Sequence, residues 1–98
     1  MTITHHETGE VLNVSIDGRL DTTTAPELSS FFNEHLDHAA KVVLDLKNLT
    51  YISSAGLRVL LSAHKKMSGS GTCILTNVSD AVMEVLEITG FADILTIQ

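Results

Sequence analysis

Tryptophan is absent, and one Tyr and three Phe are the only other large aromatics in 98 residues. A core must therefore be assembled from Val, Ile, Leu, Ala and Met. Cysteine occurs once, as Cys73 inside an apolar run. That excludes an intramolecular disulfide and a thiolate metal cluster, and it suits a reducing compartment. Cations are scarce and scattered: six Lys and Arg against twelve acids, for a net charge of −6. A surface that tracks nucleic-acid phosphates needs clustered cations, so DNA and RNA are not expected partners. The acidic balance also argues against docking on an anionic membrane and favours a partner with a basic contact face. No apolar run approaches the roughly 20 residues that span a bilayer. Met1–His6 has neither a basic n-region nor an apolar h-region, so no secretory signal is expected. The expectation is one cytoplasmic domain over residues 1–98.

What is present is a regular alternation of strand and helix signals. Leu12, Val14 and Ile16 share one face of an alternating segment, Val11–Ile16, that reads as a half-buried strand. Thr2–Thr8 is its expected hairpin partner across Gly9-Glu10, and Asp17-Gly18 is its expected end. Thr24, Pro26 and Glu27 have the spacing of an N-cap, a first-turn proline and a capping box. Leu28, Phe31, Phe32, His35 and Leu36 then recur at helical spacing, which predicts a helix over Pro26–His38. Lys41–Leu46 is short, apolar and β-branched, as suits a strand buried on both faces. Leu57, Leu60, Leu61 and His64 predict a helix from Ala55, ended by turn chemistry at Ser68-Gly69-Ser70-Gly71. Thr72–Thr76 reads as a buried strand. A third helix opens at Ser79 or Asp80 and stops at Gly90, and Ile94–Ile97 is a last strand. The order β-β-α-β-α-β-α-β predicts an α/β fold. Its sheet is mixed and mostly parallel, with an N-terminal antiparallel hairpin at the edge.

The informative stretch is Asp45 to Leu60. A strand runs into a short loop, and Ser53 and Ser54 then stand at a helix N-terminus, where backbone N–H groups and the helix dipole favour negative charge. Two readings of Ser54 are open: a plain helix cap, or a phosphate acceptor whose added charge the helix end tolerates. Gly56 costs about 1 kcal/mol in helix propensity relative to alanine, which points to a packing or functional reason for it. Other chemistries lack their parts. His35 and His38 with Asp37 do not complete a zinc set, and His38 near a helix C-terminus has a sufficient electrostatic reason. Ser54 has no Gly-x-Ser-x-Gly elbow, and His64 lies ten residues along the same helix, roughly 15 Å away by helical rise. Gly69-Ser-Gly71 lacks the Lys-Ser/Thr of a phosphate loop. No catalytic residue, metal, cofactor or small-molecule substrate is expected.

Gly18-Arg-Leu-Asp21, Leu44-Asp-Leu46 and Tyr51-Ile-Ser-Ser-Ala-Gly-Leu-Arg-Val-Leu-Leu61 together resemble the STAS domain family, and within it the anti-sigma factor antagonists of partner-switching systems. The resemblance runs over nearly the whole chain. It implies that Ser54 aligns with the serine phosphorylated by an anti-sigma factor serine/threonine kinase, and that a serine phosphatase reverses the reaction. The family loop reads Asp-Ser-Ser/Thr-Gly-Leu. Here Ser53 takes the Asp position and Ala55 the second hydroxyl position, which leaves Ser54 as the acceptor. Arg58 replaces a common glycine, and it either pairs with a phosphate one turn away or is simply solvated. Asp21, Thr22 and Thr23 either belong with Ser53, Ser54, Ala55, Gly56 and Arg58 in a partner-binding surface or merely cap a loop. The implied function is binding an anti-sigma factor when unphosphorylated. The alternative is an accessory subunit of a transport or signalling complex that uses this fold without phosphorylation.

Overall fold

Period-two alternation in the second strand organises the molecule. The structure is a computed structural model that describes residues 1–69 and 71–98. Strand β1, Thr2–Thr8, pairs antiparallel with β2, Val11–Leu20, through a turn in which Gly9 has φ +62°. Helix α1 covers Ala25–His35 and passes into a 3-10 turn at Leu36–His38, so the helix expected through His38 tightens in its last turn. Strand β3 (Lys41–Asp45), strand β4 (Leu49–Ile52) and helix α2 (Ser54–Met67) follow. Strand β5 (Thr72–Thr76), helix α3 (Asp80–Ile88) and strand β6 (Thr96–Ile97) complete the order. Of the turn expected after α2, Ser70 lies outside the described residues.

The sheet runs β1-β2-β3-β5-β6, antiparallel between β1 and β2 and parallel elsewhere. The expected order holds, with one strand more. β2 does not end at Gly18. That residue takes φ +95°, the pairing register shifts between Gly18 and Arg19, and the strand continues to Leu20. Its first part pairs with β3, and its last three residues pair in parallel with β4. Glycine is required at this bend because a side chain rarely adopts that φ. The last strand is shorter than expected. Gly90, at φ +82°, closes α3, and a 3-10 turn at Phe91–Asp93 occupies the chain before Ile94.

One core lies on one face of the sheet. Leu12, Val14 and Ile16 of β2, Val42 and Leu44 of β3, and Leu75 of β5 meet Leu28 and Phe32 of α1, Leu57 and Leu60 of α2, and Val82 and Leu86 of α3. The opposite face remains partly open. Asn13, Ser15, Val43 and Asp45 stay half-buried there and line a recess with Thr4, His6 and Thr76. β3 is therefore buried on one face and not on both. Its apolar run reflects Val43 on the open side, between Asn13 of β2 and the buried Ile74 of β5. Cys73 is buried, and burial pushes its thiol up to about 11, so it is un-ionised near neutral pH.

Candidate functional site

The extra strand β4 sets the position of the loop that follows it. The Gly18 N–H donates to the Asn48 carbonyl (2.9 Å), the Thr50 hydroxyl donates to the Gly18 carbonyl (3.0 Å), and the Ser53 N–H donates to the Leu20 carbonyl (2.9 Å). These bonds bring the Gly18–Asp21 segment and the Ser53–Gly56 segment to one end of the sheet.

Of the two serines, Ser53 is the cap. Its backbone is extended (φ −100°, ψ 175°), and its Oγ accepts from the Gly56 N–H at 3.4 Å. Ser54 is the first helical residue. It is exposed, and its hydroxyl has no hydrogen-bond partner among the described residues. The capping reading of Ser54 is thus answered by its neighbour. No acidic residue stands in the first turn of α2, so the positive helix end there is uncompensated. Ala55 packs half-buried against the core.

Gly56 is buried against Leu20, where a Cβ would lie 2.6 Å from Leu20 Cγ and 3.0 Å from the Leu20 carbonyl oxygen. That close approach is the packing reason for a glycine early in a helix. Arg58 is exposed and forms no ion pair among the described residues.

Asp21 anchors the neighbouring turn. Its Oδ1 accepts from the Thr23 hydroxyl (2.8 Å), the Thr23 N–H (3.0 Å) and the Thr24 N–H (3.1 Å). The Thr23 hydroxyl above all, helped by the amides, outweighs desolvation and holds this carboxyl below its ordinary 3.8. This corrects the capping box expected at Thr24. Thr24 is helical in backbone (φ −97°, ψ −21°) and makes no side-chain cap bond. Its hydroxyl turns back, accepting from the Asp21 N–H (2.8 Å) and donating to the Arg19 carbonyl (2.9 Å). The Glu27 N–H that a Thr24 cap would serve donates instead to the Thr24 carbonyl (3.0 Å), and Asp21 takes the Thr24 N–H. Thr22 is exposed at the tip of the same turn.

Two residues without a role in the sequence reading also stand here. Arg19 pairs across the sheet with Tyr51, and its guanidinium lies 4.2 Å from the Tyr51 ring centroid. Its Nε is 3.7 Å from Asp21 Oδ2. The cross-strand pair that carries this contact was illegible without β4. His35 is engaged away from the site. It stacks on Phe31 at 4.2 Å, its Nδ1 is 2.8 Å from the Phe31 carbonyl oxygen, and its ring meets His5 at 4.7 Å. Among the described residues no three His, Cys, Asp or Glu side chains gather as a metal site, and no helix is long and apolar enough to cross a membrane.

The STAS domain family model matches residues 2–98, which include this strand–loop–helix end and the turn beside it. The chain belongs to the STAS domain family. Over 99 residues it is 34% identical to BtrV of Bordetella bronchiseptica, a candidate anti-sigma factor antagonist, covering 99% of this chain and 85% of that protein. It is 30% identical to the anti-sigma-B factor antagonist of Bacillus subtilis, covering 88% and 80% of the two chains. Among solved structures it shares the fold of the anti-sigma factor antagonist SpoIIAA in its unphosphorylated form, with TM-score 0.84 at 17% identity over 99% of this chain and 88% of that one. SpoIIAA of Bacillus in its phosphorylated form gives 0.76 at 16% identity, over 99% and 91% of the chains.

Proposed function

We propose that this STAS domain is an anti-sigma factor antagonist, a cytoplasmic binding protein without catalytic activity of its own. Unphosphorylated, it binds an anti-sigma factor and so releases a sigma factor. That partner is also a serine/threonine kinase, and its phosphorylation of Ser54 ends the complex. A serine phosphatase restores the binding form. Asp21, Thr22, Thr23, Ser53, Ser54, Ala55, Gly56 and Arg58 form the contact surface.

The observation that carries this reading is the exposed Ser54 hydroxyl at the first position of α2, with the capping bond made by Ser53 instead. The names of the relatives support it, and so does the existence of a protein of this fold in both phosphorylation states. The energetics agree. A phosphoserine brings about −1.5 to −2 charges, which the positive helix end accommodates within the fold. In a desolvated contact with no matching cation, that charge costs several kcal/mol of binding.

The test is the affinity of purified anti-sigma factor for two variants. Ser54→Ala binds like the unmodified protein, and Ser54→Asp binds far more weakly. Equal affinities overturn the switch and leave the reading as a subunit of a larger assembly.

A further inference from the structure

Two cations of this acidic molecule stand at the end that carries Ser54. Both arginines of the chain, Arg19 and Arg58, lie there. Arg19 is the more constrained. Tyr51 supports one side of its guanidinium at 4.2 Å, and Asp21 stands beside Nε at 3.7 Å, beyond hydrogen-bond length. Asp21 Oδ1 accepts from three donors of its own turn, which fixes the carboxylate in place. Arg19 nevertheless keeps 62% of its side chain exposed, and Tyr51 is 41% exposed. The ion pair at Nε is the only one recorded for this guanidinium among the described residues, which leaves its outer nitrogens for another carboxylate.

We propose that Arg19, held by Tyr51 and Asp21, is the residue that selects the partner, by receiving a carboxylate of the anti-sigma factor that docks over Ser54. This assignment rests on the function proposed above and deepens it. A guanidinium presents a planar fork that matches a carboxylate with two parallel hydrogen bonds. Here aromatic stacking has already restricted the side chain, so less freedom is lost on binding. Arg and Tyr are also the residue types enriched among interface positions that dominate affinity. The position suits contact. Tyr51 is three residues from Ser54, which bounds their separation at about 11 Å. A standard interface covers about 800 Å² per partner, a disc of about 16 Å radius, so Arg19, paired with Tyr51, is within reach of a partner centred on Ser54. The net charge of −6 asks for a basic partner surface overall. The local charge at Arg19 asks for an acidic group within it, and a partner must satisfy both.

The experiment titrates purified anti-sigma factor with the wild type, Arg19→Glu, Arg19→Lys, Tyr51→Ala, Ser54→Asp and Lys41→Glu. Lys41 starts β3 at the opposite end of the sheet, so Lys41→Glu changes net charge as Arg19→Glu does without touching the site. Thermal melts confirm that each variant is folded. Arg19→Glu is expected to weaken binding by about thirtyfold or more, as loss of an interfacial charge pair does. Arg19→Lys and Tyr51→Ala are expected to weaken it less, and Lys41→Glu hardly at all. Replacing the partner's matching Asp or Glu with Lys is expected to rescue Arg19→Glu. Wild-type affinity in Arg19→Glu, or an equal loss in Lys41→Glu, overturns the assignment while a Ser54→Asp defect leaves the proposed function intact. A wild-type protein that binds no anti-sigma factor removes the proposed function and the assignment together.

Discussion

Helices α2 and α3 begin alike and differ at two positions. Each opens with a serine in extended conformation whose Oγ accepts from the N–H three residues on: Ser53 to Gly56 at 3.4 Å, and Ser79 to Val82 at 3.3 Å. Each has alanine at its second helical position, Ala55 and Ala81. At the first position α3 carries the acidic Asp80 on the positive helix end, where α2 carries the neutral Ser54. At the third, α3 has the buried Val82, where α2 has Gly56 pressed on Leu20. Capping therefore explains what the two ends share and leaves Ser54 and Gly56 unexplained. The fold already accepts an anion at a first helical position in α3. In α2 the equivalent charge is absent unless it is added to Ser54.

The largest stability effect expected is at Gly56. Gly56→Ala gains helix propensity but drives a methyl group into Leu20, and the net loss is about 1–2 kcal/mol in denaturant unfolding. A neutral or stabilising result would mean that Leu20 yields easily and that this close approach is not a constraint.

Next come the caps. Ser53→Ala and Ser79→Ala each lose about 1 kcal/mol, and by similar amounts, since their geometry matches. Ser54→Ala changes stability by less than about 0.5 kcal/mol, because an exposed hydroxyl without a partner is removed. A loss at Ser54 equal to that at Ser53 would make Ser54 the cap and break the comparison.

The exchange of first-position residues has a smaller effect than the loss of a cap. Ser54→Asp gains, and Asp80→Ser loses, about 0.3–1 kcal/mol at low salt, both shrinking as salt is raised. The smallest effect concerns pH. The Asp21 carboxyl titrates lower in the folded protein than its ordinary 3.8. Its contribution to stability is fully present above that value and is lost as pH falls through the lower, folded-state value. Asp21→Asn removes that part of the acid sensitivity, as acid titration of wild type and variant measures.

Much of this architecture was legible in residue patterns. Alternation at Leu12, Val14 and Ile16 and the 3.6-residue stripe at Leu57 and Leu60 both reported burial, with Leu61 half-buried beside the stripe, and burial decided the elements. Features that depend on pairing between distant segments were not legible. Leu49–Ile52 is only four residues long, and its strand exists because β2 resumes beyond Gly18, at φ +95°, to receive it. With β4 unseen, the contact of Arg19 with Tyr51 had no basis. Local competition hid the rest. Thr24 and Glu27 fit a capping box, but Asp21, three residues upstream, captures the Thr24 N–H, the Thr24 hydroxyl turns backwards, and the Glu27 N–H goes to the Thr24 carbonyl. Two adjacent serines offer two caps, and only the backbone, extended at Ser53 and helical from Ser54, decides between them. The family motif pointed to Ser54 for a different reason, and the geometry leaves that residue exposed, with no hydrogen-bond partner for its hydroxyl among the described residues.

The most direct test of the account is to map the phosphate. Incubating the protein with the anti-sigma kinase and ATP, followed by peptide mass spectrometry, is predicted to place one phosphate on Ser54. Ser53→Ala should keep it and Ser54→Ala should abolish it. A phosphate on Ser53, or none on a protein that the kinase binds, would contradict the account.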